Sequence, residues 1–133
     1  MVSYRTPLGR ARGLGSAKHG AGSWIAERVG AIALVPLTIW AAYGVLRLAA
    51  GDYGFAVHWI QDPLNATLAV VTLAVSFWHM QLGLRVVVED YIHKALSKTT
   101  LLLANVFLCG LVAALAIVSI LKVALGAGVL GGA

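Results

Sequence analysis

His79 is the residue whose type and place call most directly for chemistry. It lies in a run of 22 residues, between Asp62 and Arg85, that holds no Asp, Glu, Lys or Arg. An ionisable side chain in so apolar a setting is costly and marks a functional candidate. At helical spacing, Thr72, Ser76, Gly83 and Asp90 fall within about 60° of its direction. Gly83, one turn on, removes a side chain beside the imidazole and lets a flat, bulky group or another backbone come close. Imidazole is a standard axial ligand of haem iron, so a planar haem beside His79 is one reading. The other is a neutral histidine bonded to a Ser or Thr of a neighbouring helix, or one that relays protons. A bis-histidine b-type haem needs a second histidine at the same depth. His19, His58 and His93 fall outside the apolar runs, so a partner would have to supply it.

A second cluster follows as Glu89-Asp90-Tyr91-Ile92-His93. Acids at a helix C-terminus oppose the helix dipole, so something else should favour them there. A phenol can donate a hydrogen bond to a carbonyl oxygen, and a carboxylate can orient it or relay protons. Quinone reduction, which takes up two electrons and two protons, needs those groups. Tyr91 reads equally as an interfacial anchor, and loop carboxylates are common. Arg28 is the third candidate. It can pair with a haem propionate, a quinone oxygen or a lipid phosphate, or snorkel. Pro36 lacks its amide hydrogen and is expected to kink its helix.

Positioning these residues requires helices that cross a membrane. The chain has 133 residues, 60% of them hydrophobic and 11% charged, with a mean hydropathy of +0.88. Soluble domains carry about 25% charged residues, and disorder needs low hydrophobicity, so both are excluded. One cysteine, Cys109, excludes a disulfide framework or a Cys-based metal site within this chain. Besides the run around His79, charge-free runs of 18 and 23 residues lie between Arg28 and Arg47 and between Lys98 and Lys122. A span needs about 20 apolar residues. The fold class is therefore an all-α membrane protein, one domain over 1–133, with three transmembrane helices near 25–49, 63–88 and 99–124. His79 stands nine residues before Val88, about 14 Å by helix rise, close to the midplane of a hydrocarbon core about 30 Å thick. Small residues (Gly30, Gly44, Gly110, Ala114) offer faces for close helix packing.

Residues 1–23 form a basic arm with Arg5, Arg10, Arg12 and Lys18. It lacks the apolar core of a signal peptide, though an Arg-rich, acid-free stretch also suits an organelle transit peptide. Pro7, Gly9, Gly13, Gly15 and Gly20 argue against a regular helix there. The loop near 50–62 carries Asp52 and Asp62, whereas the second loop carries Lys94 and Lys98, with Arg85 just inside the helix end. The positive-inside rule places the N-terminus in the cytoplasm and the C-terminus in the periplasm. Lys122 dissents and can snorkel. The membrane and protein partners are expected surroundings; nucleic acid is not.

Gly13-Leu-Gly-Ser-Ala-Lys18, Glu27-Arg28, Ala33-Leu-Val-Pro-Leu37 with Trp40, His79-Met-Gln-Leu-Gly83 and Glu89-Asp90-Tyr91 together resemble the small hydrophobic anchor (D) subunit of bacterial succinate dehydrogenase, respiratory complex II. The likeness covers about Gly13 to Lys122 and is to the alphaproteobacterial, mitochondrial-like branch. It implies that His79 is an axial ligand to haem b, facing a ligand from the larger cytochrome b anchor subunit in a shared helix bundle. It implies that Tyr91 hydrogen-bonds the ubiquinone head group with Asp90 beside it. It puts Arg28 near the haem propionates and quinone pocket, with Gly83 and Ser76 lining the haem pocket. A flavoprotein and an iron–sulfur subunit are the implied peripheral partners. The implied location is the bacterial inner membrane. Glu27 stands where Gln is more usual, and His19 where an acid is common. The companion cytochrome b anchor carries a Ser-Pro-His segment and a His-Arg pair that this chain lacks. A three-span assembly or transporter subunit without haem is the other class of reading.

Overall fold

A computed structural model describes Tyr4, residues 6–13 and residues 20–126. Arg5, Lys18, His19 and most of the Gly13–Lys18 motif lie outside the described residues. Among the described residues five helices follow in order: α1 (Pro7–Ala11), α2 (Gly20–Ala50), α3 (Tyr53–Gln61), α4 (Pro63–Tyr91) and α5 (Ala95–Ala124). Helices α2, α4 and α5 contain stretches of 29 or 30 residues that are long and apolar enough to cross a membrane. At about 1.5 Å per residue each exceeds a 30 Å hydrocarbon core. They match the three expected spans, with α2 and α5 beginning a few residues earlier. α2 runs through Pro36 without a break.

Two short helices depart from the expectations. The arm contains α1, because Thr6 caps it through a bond from Gly9 N to Thr6 Oγ1 of 3.0 Å and Pro7 fills the first turn. Gly13, at φ 59°, follows it in a left-handed conformation. The first loop folds as α3. Asp52 caps α3 by accepting from Phe55 N at 2.8 Å, and Asp62 caps α4 by accepting from Asn65 N at 3.0 Å. Both acids of that loop thus have structural work.

α4 is the central helix, with α2 and α5 packed antiparallel to it and α3 laid across α4 and α5 at the far end. Trp59 of α3 stacks on Trp40 of α2, with ring centroids 5.4 Å apart. Gly44 makes room for it: a Cβ there would lie 2.9 Å from the indole. Arg47 places its guanidinium 5.9 Å from the Tyr43 ring and 5.5 Å from Phe55. Arg47 is a second cation, beside Lys122, at the end that the charge count makes periplasmic. Among the described residues, Cys109 is the one buried hydrophobic side chain. Three apolar helices with so little interior leave their faces to lipid or to partner helices.

Candidate functional site

His79 projects from the middle of α4 where Gly30 of α2 crosses it. A Cβ built on Gly30 would lie 3.1 Å from His79 Nδ1 and 3.6 Å from its Cβ. Any larger residue would push the imidazole aside. Nδ1 is buried and has no hydrogen-bond partner, alone in this among the side-chain nitrogen and oxygen atoms of the described residues. Hydroxyls in the spans show the usual alternative. Thr38 donates to Leu34 O at 2.7 Å, Thr72 to Leu68 O at 2.7 Å and Ser119 to Leu115 O at 2.8 Å. Each is satisfied by its own helix. Asn105 Nδ2 donates across to Gln81 O at 2.9 Å, and Cys109 Sγ donates to Asn105 Oδ1 at 3.3 Å, joining α4 to α5. The imidazole is different in kind: one nitrogen is sealed against α2, and the other, Nε2, is not sealed in this way. Gly83, on the same face, is exposed, and a Cβ there would meet nothing within 4 Å. Ser76 is half-buried on that face. A histidine braced at Nδ1, with Gly83 leaving space on the same helix face, has the donor type that can hold haem iron, although Nδ1 lacks the hydrogen-bond partner that ligating histidines usually have.

The Tyr91 end is arranged by its neighbours. Arg85 Nε pairs with Glu89 Oε1 at 2.8 Å, and Lys98 Nζ donates to Glu89 O at 2.8 Å. The Arg85 pair gives the Glu89 carboxylate a partner at this helix end, while Lys98 bonds the backbone carbonyl of the same residue. Asp90 is exposed and makes no ion pair among the described residues. Tyr91 is 76% exposed. It lines a shallow depression of about 340 Å³ together with Ile92, His93, Lys94 and Ser97.

Arg28 is exposed, with its guanidinium 5.4 Å from the Trp24 ring, one turn toward the helix start. Since Gly30 faces His79, Arg28 lies about 3 Å from the histidine's level along the bundle and about 15 Å from that of Tyr91. The structure therefore groups Arg28 in depth with His79 rather than with Tyr91.

A family model described as succinate dehydrogenase/fumarate reductase transmembrane subunit matches residues 2–120. The chain belongs to this family. The succinate dehydrogenase hydrophobic membrane anchor subunit of Rickettsia conorii is 32% identical over 110 residues, covering 80% of this chain and 86% of that relative. The same subunit of Rickettsia bellii is 32% identical over 101 residues, covering 76% and 81%. That of Paracoccus denitrificans is 28% identical over 126 residues, covering 95% and 97%. All three sources are alphaproteobacteria, the branch that the motifs indicated. No solved structure matches. This anchor-subunit chain is thus a multi-pass membrane component of the succinate dehydrogenase type.

Two residues that contact the candidate site segments escaped sequence reasoning. Gly30 read as one small residue among several, because its partnership with His79 depends on interhelical register. Lys98 read as a topology signal only. Its clue was local: it sits in the first turn of α5, where a cation opposes the helix dipole and no acid stands nearby.

Proposed function

We propose that this subunit anchors a succinate:quinone oxidoreductase in the bacterial inner membrane, N-terminus in the cytoplasm, and completes two sites with its partners. His79 would hold haem b together with a residue of a cytochrome b anchor subunit in the same bundle. The observation that carries this is the buried, unpartnered Nδ1 braced at Gly30. With Nδ1 shut against α2, Nε2 is the nitrogen left for a ligand, and a bond there offsets part of the cost of placing an imidazole at this depth. Gly30 fixes the ring from behind, Gly83 and Ser76 line the face in front, and Arg28 sets a positive charge near the same depth for a propionate. Bound haem supplies one-electron redox chemistry there.

Tyr91 and Asp90 take part in ubiquinone reduction at the membrane edge. The electrons come from succinate through a flavoprotein and an iron–sulfur subunit. The Tyr91 hydroxyl donates a hydrogen bond to a quinone carbonyl oxygen, and Asp90, exposed and without an ion pair among the described residues, passes protons from water to the quinone as two electrons reduce it to quinol. Arg28, well removed in depth from Tyr91, contributes through its field.

His79→Ala in the intact purified complex is expected to lose or strongly perturb the b-type absorption bands. Unchanged bands, or a wild-type complex without them, overturn the ligand assignment. Tyr91→Phe is expected to lower quinone reduction about tenfold or more while reduction of an artificial acceptor at the flavoprotein survives. Undiminished quinone turnover overturns the quinone role.

A further inference from the structure

We propose that Lys98 is a positioning residue for the quinone end of the chain: its ammonium straps the start of α5 to the end of α4 and so sets how Asp90 and Tyr91 are presented. This rests on the reading that Tyr91 meets quinone.

The strap joins two helix ends of opposite polarity. The last carbonyls of α4 carry partial negative charge and lack partners within the helix. Val88 O is taken by Ile92 N at 3.1 Å. Glu89 O, the next in line, accepts from Lys98 Nζ at 2.8 Å. Lys98 is half-buried, unlike Lys94, and stands in the first turn of α5, where its own helix dipole repels it. The α4 terminus supplies what α5 does not. A charge-assisted bond across nine residues thus closes the hairpin whose turn is residues 92–94. The depression beside Tyr91 is walled by that turn and by Ser97, the neighbour of Lys98. Asp90 and Tyr91 directly follow the tethered carbonyl of Glu89. Releasing the strap frees the last turn of α4 and the wall of the depression together. Lys98 is not required to touch quinone for this.

The test measures quinone kcat and KM, artificial-acceptor activity and the haem spectrum in the intact membrane complex. Lys98→Met is expected to lower kcat/KM for quinone about fivefold, chiefly through KM, with acceptor activity and spectrum at wild-type values. Lys98→Arg, which keeps the cation and the reach, is expected to recover to within about twofold. In a Tyr91→Phe background Lys98→Met should cost less than about twofold, because it acts through Tyr91. An unaltered quinone KM in Lys98→Met, a full penalty persisting in the Tyr91→Phe background, or no recovery with Arg overturns the proposal. If Lys98→Met fails to assemble, Lys98→Ala, which removes the donor and suits the helix, is judged by the same criteria. A normal Tyr91→Phe enzyme topples the quinone reading, and this proposal with it. An impaired Tyr91→Phe beside a normal Lys98→Met topples this proposal alone.

Discussion

The two halves of this bundle treat their polar and bulky groups differently. At the far end the chain satisfies itself. Asp52 and Asp62 cap helices, Trp59 stacks on Trp40 over Gly44, and Arg47 sits against Tyr43 and Phe55. From mid-bundle to the Tyr91 end the groups wait for something. His79 Nδ1 has no partner, Gly83 faces open space, and Asp90 and Tyr91 stand exposed. In water such groups would be unremarkable, since solvent completes them. At the depth of His79 no solvent does so, and the imidazole's incompleteness points to a ligand or a partner chain, whereas Asp90 and Tyr91 stand exposed at the end of α4. Gly30 and Gly44 express the contrast in one residue type: each admits a ring from another helix, but Gly44 admits a structural indole and Gly30 the candidate ligand.

That contrast can be broken by substitution at the two glycines. Gly30→Val places branched carbon where even a single Cβ would lie 3.1 Å from His79 Nδ1. It should displace the imidazole and shift or abolish the b-type bands, the largest effect after His79→Ala itself. Gly44→Ala forces a Cβ to 2.9 Å from the Trp59 indole. Overpacking of this kind costs about 1–3 kcal/mol. It should lower the thermal midpoint of the assembled complex while leaving the absorption spectrum of the assembled fraction unchanged. If Gly44→Ala alters the haem bands and Gly30→Val does not, the division between a self-sufficient and a waiting half is wrong.

The charge-free runs of 18, 22 and 23 residues announced α2, α4 and α5, because a span needs about 20 mostly apolar residues. They did not announce α3, which is too short to span and carries charge-neutral residues on all sides. Its signals were the capping acids Asp52 and Asp62 and the proline after the second, which a topology count treats only as negative charges. Thr6-Pro7 is a helix start of the same local kind and was outweighed by the surrounding glycines. His79, Asp90 and Tyr91 stand out as candidates from type and depth alone. The Gly30–His79 contact and the Lys98 strap do not, because both depend on how antiparallel helices slide past one another. That slide is set by packing between helices, which no periodicity in a single helix records.

Gly83 sharpens the contrast in the opposite sense. Within this chain Gly83→Ala is harmless: a Cβ meets nothing within 4 Å, and alanine favours the helix by about 1 kcal/mol. A self-sufficient site would therefore gain from the change. If the open face is where a planar group lies beside His79, the added methyl instead crowds that group, and the b-type bands of the complex should shift or lose intensity. The smallest effect belongs to the surface. The Arg85–Glu89 pair is half exposed, with side-chain exposures of 51% and 38%. Its Arg-before-Glu order is the weaker one for an i,i+4 pair, so Glu89→Gln should cost less than about 0.5 kcal/mol. The strap from Lys98 ends on the backbone oxygen of residue 89 and survives that change. Quinone kinetics should accordingly stay at wild-type values in Glu89→Gln and fall in Lys98→Met, which separates the carboxylate of residue 89 from its carbonyl as the feature that matters.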